Sequence, residues 1–129
     1  MATVTVYRVE DAHGNGPYNM DHWPMAYGRE WDRFENLMRA TCLGERHPPP
    51  PKDGIETHSA QYVCGFADLS ALHSWFTPED LEGMARWGYL PTEYSVDDRD
   101  ILHGCHQLMF DQDHAQLVRR FQPSELAAV

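Results

Sequence analysis

Residues Thr3 to Val9 alternate polar and apolar in a β-rich composition. That alternation predicts a strand and commits the N-terminus to a sheet. A period of two places Val4 and Val6 on one face and carries Arg8 and Glu10 onto the same face. Thr5, Tyr7 and Val9 take the other face. Two outcomes are open for Arg8. The commoner one ends the strand near Tyr7 and lets Arg8 reach out to water, because charges are rarely buried. The other keeps Arg8 on the inward stripe.

The rest of the chain mixes helix and strand signals without regular alternation. Asp11 to Tyr18 holds two glycines, Asn15 and Pro17, and reads as a turn-rich loop. It matches neither phosphate-binding glycine fingerprint. Arg29 to Leu43 reads as a helix, with Trp31, Phe34, Met38 and Cys42 at three- and four-residue steps. Four prolines, Pro48 to Pro51, force an extended segment between His47 and Asp53. A stiff connector is its commoner reading; the alternative is a wall that holds His47 and Asp53 beside a pocket. Gln61 to Phe66 reads as a second strand. Asp68 caps a short helix from Leu69 to Phe76. Thr77-Pro78-Glu79-Asp80 is a capped helix start with proline at the first helical position. That helix runs to about Trp87, and Gly88 ends it. Tyr89 to Val96 reads as a strand, with Pro91 at an edge or a strand start. Ile101 to Asp111 reads as one more strand, bent at Gly104. Asp113 is expected to cap a last helix containing Ala115, Val118 and Phe121.

This order favours an α+β fold: one domain over residues 1–122, three to four helices, and a mixed or mostly antiparallel sheet, which may be split. Residues 123–129 read as a loose tail. A chain of 129 residues suits one domain and buries roughly two-thirds of its unfolded surface without a staple. No apolar run approaches the roughly 20 residues of a membrane span, and the N-terminus lacks a signal-peptide pattern. The expected location is the cytoplasm, where the three cysteines stay reduced.

The net charge of -10 disfavours a nucleic-acid ligand, which needs the opposite sign. No metal is expected: His103-Gly104-Cys105-His106 is the tightest cluster, and the paired spacing of a closed zinc site is missing. No GxSxG occurs. Cys64, between Val63 and Phe66, reads as buried and inert.

Five short motifs converge on a resemblance. They are Tyr7-Arg8-Val9-Glu10-Asp11, Gly14-Asn15-Gly16-Pro17-Tyr18, His47 through Asp53, Gly65-Phe66 followed by Trp75-Phe76, and Gly104 through Gln107 to Phe110. Over residues from about 5 to 110 this layout resembles small, uncharacterised bacteriophage and prophage proteins. More distantly it is similar to ADP-ribosyltransferase-like domains. That likeness implies a split, mostly antiparallel sheet clamping NAD as cofactor. Arg8, Glu10 and Gln107 would be the catalytic set, with Gln107 at the position of the usual glutamate. Tyr7, Arg8, His47, Asp53, Gly65 and Phe66 would hold the nucleotide, Arg8 at the pyrophosphate or ribose. A glutamine brings no charge to a developing oxocarbenium ion, so Glu10 would substitute, or the protein would bind without turnover.

The functional expectation is therefore a phage protein that binds NAD or a related nucleotide and acts on a host or defence component. Two alternatives come from other classes. One is an acidic inhibitor that mimics nucleic acid through a face including Glu79, Asp80, Glu82, Glu93, Asp97, Asp98 and Asp100. The other is an interaction module docking through the prolines or through Trp23 and Trp31.

Overall fold

The computed structural model describes residues 2–16, 61–104 and 107–126. The helix expected over 29–43, the proline run with His47 and Asp53, Trp23, and the pair Cys105–His106 lie outside the described residues.

Among the described residues, six strands and three α-helices follow in the order β1 (Thr3–Glu10), β2 (Tyr62–Gly65), α1 (Leu69–Trp75), α2 (Pro78–Ala85), β3 (Leu90–Asp97), β4 (Ile101–His103), β5 (Leu108–Asp111), β6 (Gln116–Arg120) and α3 (Pro123–Leu126). They form two three-stranded sheets, β1-β3-β6 and β2-β5-β4. Every pairing is antiparallel. The architecture is the expected α+β type with a split antiparallel sheet. None of the described helices is long and apolar enough to cross a membrane.

A backbone bridge between Tyr7 and Phe66 joins the sheets. Tyr7 N donates to Phe66 O at 2.9 Å, and Phe66 N donates to Tyr7 O at 2.7 Å. β1 therefore serves both sheets, and its two faces meet two different cores. Val6 on the inner face packs with Tyr94 and Val96 of β3 and with Ile101, Leu108 and Phe110 of the second sheet. Val9 on the opposite face packs with Leu72, Trp75, Leu81 and Met84 of the helices. The period of two in the opening residues thus specifies which side of the strand each core occupies.

Local chemistry explains the element ends. Asp68 accepts from Ala71 N at 2.7 Å and starts α1. Thr77 and Asp80 form the reciprocal capping box of α2, at 3.1 and 3.0 Å. The turn through Gly88 closes α2, with Tyr89 N donating to Met84 O at 3.1 Å. Pro91 stands near the entry of β3, the central strand of its sheet, where its carbonyl accepts from Phe121 N.

Two expectations are corrected. Residues 101–111 are a hairpin and not one bent strand: Ile101 pairs with Phe110 and His103 with Leu108, and Gly104 N donates to Gln107 O across the turn. Residues after Asp113 form β6 and not a helix. Their three helix-spaced apolar residues go to three places. Ala115 packs on the core between the sheets, Phe121 enters the helical core, and Val118 is 51% exposed. Pairing with the otherwise open edge of β3 outweighs the weak local helical pattern. Asp111, not Asp113, caps the short 3-10 turn of residues 112–114. Pro123–Leu126, within the stretch that reads as a loose tail, is helical.

Two substitutions separate local from core contributions. Thr77→Ala removes the α2 cap and lowers unfolding free energy by about 1 kcal/mol. Phe110→Ala empties the centre of the inter-sheet core and costs about 3–5 kcal/mol. Urea unfolding of both variants measures the two costs.

Candidate functional site

Arg8 and Glu10 stay on the inner face of β1 and are buried, at 8% and 1% exposure. The expectation that Arg8 reaches out to water is corrected. The reason is the set of partners that meets it. Arg8 Nη1 donates to Cys64 O at 2.9 Å, and Nη2 donates to Gly14 O at 3.2 Å. Its Nε lies 3.4 Å from Glu10 Oε1, too poorly aligned for a hydrogen bond. A buried charge pair persists when its remaining polar atoms are also met.

Glu10 is met from two more elements, and Gln112 braces the phenol that meets it. Tyr94 Oη of β3 donates to Glu10 Oε1 at 2.6 Å. Arg120 Nη2 of β6 lies 3.5 Å from Oε2 and donates to Asp11 O at 3.2 Å. Gln112 Nε2 donates to Tyr94 Oη at 3.3 Å and to Gly14 O at 3.1 Å. Burial, and then the hydrogen bond to Glu10, push the Tyr94 phenol up to about 12. Burial lowers the Arg8 guanidinium from its ordinary value, and the neighbouring Glu10 carboxylate opposes that change.

The loop after β1 completes this arrangement. Asp11 Oδ1 accepts from His13 N at 2.8 Å and Asn15 N at 2.9 Å, which closes the turn. Gly14 adopts a φ of 83°, a conformation costly for residues with a Cβ. A Cβ on Gly16 would sit 2.9 Å from Arg8 Nη2. The two glycines therefore let the backbone pass close over the guanidinium.

A cleft of about 330 Å³ opens where this loop meets the sheet junction. Phe66, Trp75 and Phe76 form its aromatic wall. Phe66 and Trp75 are tilted at 5.4 Å between centroids, and Phe66 meets Phe76 edge-on at 6.2 Å. Arg8 lines the cleft under Asn15 and Gly16, and the carboxamides of Gln107 and Gln112 lie in the same lining.

Three of the expected site residues thus share one cleft: Arg8, Phe66 and Gln107. Gln107 and Met109 fall on the face opposite Leu108 and Phe110, and that face lines the cleft. Glu10 stands behind Arg8 with its side chain wholly buried. Gly65 is packed against the Phe110 ring and the Tyr7 carbonyl. Tyr7 is outside the cleft and faces Phe121, 6.5 Å between centroids. His47 and Asp53 lie outside the described residues. Cys64, expected to be buried, is half-buried and lines the cleft.

Sequence reading did not single out Tyr94, Gln112 or Arg120. Each reaches the site from a residue far along the chain, and only the strand order brings them together. A further group, Asp100, Asp111 and His114, places one ligand atom each within 4.8 Å of the others. Asp111 there already accepts from Gln61 and Asp113 N and pairs with His114.

The chain belongs to the Bacteriophage T4 Y00F protein family, whose model matches residues 1–124. It is similar to the "Uncharacterized 19.7 kDa protein in motB-dexA intergenic region" of Enterobacteria phage T4, with 35% identity over 69 residues. That alignment covers 50% of this chain and 42% of the relative, so the match spans less than half of the relative's length. No solved structure matches. The expected kinship with phage proteins is met at the level of this family.

The Tyr94 phenol gives a pH test. Its pKa is raised in the folded state from 10.0 to about 12. The contribution to stability is therefore complete below pH 10 and is lost as pH rises towards 12. In alkaline unfolding, Tyr94→Phe is expected to flatten the loss of stability across that window. Absorbance titration of the folded protein is expected to show fewer tyrosines ionising near pH 10 than the unfolded chain does, since burial raises Tyr7 and Tyr89 as well as Tyr94.

Proposed function

We propose that this member of a T4-type phage family binds NAD or a related nucleotide in the cleft at the junction of its two sheets. The observation that carries the reading is convergence. An aromatic wall, two carboxamides and a fixed guanidinium from four separate stretches of the chain line one cleft. Mostly apolar walls with a few placed polar groups are the usual make-up of small-molecule sites, and about 330 Å³ lies at the small end of their range. Heterocycles pack on aromatic side chains, and the Gln112 carboxamide, whose N–H groups go to Gly14 O and Tyr94 Oη, has an oxygen that can accept from a ring edge.

The same geometry favours binding over transfer. Cleaving the nicotinamide bond develops positive charge on the ribose, which a nearby carboxylate stabilises. Glu10 has no exposed side-chain surface and is held by Tyr94, Arg8 and Arg120. Gln107 brings a dipole without a charge. A phage protein built this way acts on a host or defence component by sensing or sequestering the nucleotide.

The acidic-mimic reading draws less from the surface. Glu93 pairs with Arg119 and Asp97 with Arg99, and Asp80 is engaged in the α2 cap. The acidic row is thus interrupted by basic partners.

Calorimetric titration of NAD into the full chain is expected to give saturable binding at one site. Gln107→Ala is expected to weaken it about tenfold, the size of one or two lost hydrogen bonds. An absence of heat with NAD and with ADP-ribose at millimolar concentration would overturn the reading.

A further inference from the structure

Resting on that reading, we infer that the cleft selects the uncharged nucleoside part of its ligand and leaves the phosphates in solvent. Arg8 is the one charged residue among the described residues that line the cleft. An anion held there would need a cation whose charge is available. Glu10 lies 3.4 Å from Arg8 Nε, has no exposed side-chain surface and also pairs with Arg120, and the Asp11 carboxylate acts on Arg8 as well, so two guanidiniums and two carboxylates balance. The Nε proton is buried on that side.

The two Nη groups each donate to a backbone carbonyl, of Cys64 and of Gly14. Their remaining protons suit a neutral acceptor such as a carbonyl or a ring nitrogen, with no net charge behind them to draw a phosphate. Arg120, the other cation of this network, is turned to Glu10 and Asp11 O and does not line the cleft. The other polar side chains among the described lining residues are neutral: Asn15, Tyr62, Gln107 and Gln112. Bringing a phosphate into such a lining strips its water without replacing it by a compensating charge. Placing a base against Phe66, Trp75 and Phe76 has no such cost, since every base offers a face or edge to an aromatic ring.

The test compares each nucleoside with its own 5′-phosphate on the full-length wild-type chain. Nicotinamide riboside is titrated against nicotinamide mononucleotide, and adenosine against AMP, with NAD and inorganic pyrophosphate alongside. At least one nucleoside is expected to bind within about threefold of its phosphate, a difference under 1 kcal/mol. Its affinity is expected to hold between low and high salt, because no net charge is neutralised. Pyrophosphate is expected not to compete. If the phosphates bind tenfold or more tightly than the nucleosides, or pyrophosphate displaces NAD, the inference is overturned while the nucleotide-cleft reading stands. If NAD and all four compounds fail to bind, the underlying reading fails and the inference with it.

Discussion

A charge pair inside a small domain depends on everything around it, and here the dependence runs in both directions. Arg8 and Glu10 lie two residues apart on one face of a strand, beyond the last apolar residue of that face. They remain inside because the second sheet offers a carbonyl, the following loop offers another, and β3 and β6 offer Tyr94 and Arg120. Removing Glu10 leaves Arg8 buried without the carboxylate beside it, and removing Arg8 leaves the buried Glu10 with only the half-buried Arg120 and the Tyr94 hydroxyl, in each case a larger cost than the pair itself contributes. The pair therefore does less to raise stability than to forbid other arrangements of these four segments.

The position of the pair also explains the cleft. The inter-sheet core of Val6, Tyr94, Val96 and Phe110 is closed by apolar contact. Past Val6, on that inner face, the sheets are joined through the Tyr7–Phe66 bridge and the Arg8–Cys64 hydrogen bond. Polar connection holds the elements together without filling the space between them. What remains is an opening with aromatic groups on its helical side and neutral amides on its sheet side.

Much of this was legible in the sequence where the signal is local. The opening strand, both helix caps, α1, α2 and the strand ending at Phe66 follow from periodicity and capping residues that act over three or four positions. The Arg8–Glu10 stripe was visible too, but its outcome turned on partners up to 110 residues away, which no local rule reaches. The hairpin through Gly104 and the strand β6 were misread for the same reason: each exists because an edge was open to pair with it. At the site, Gln107 was legible as a residue, and it reaches the cleft because both faces of that segment are covered, one by the core and one by the cleft walls.

The dependence of the fold's open end on this pair is tested most directly by a double-mutant cycle with Arg8→Met and Glu10→Gln, read by urea unfolding. Each single substitution is expected to cost about 3–5 kcal/mol, and the double substitution far less than the sum, because no uncompensated charge is left. Small and additive costs would contradict the account, since they would mean that the two charges neither sense each other nor hold the surrounding segments in place.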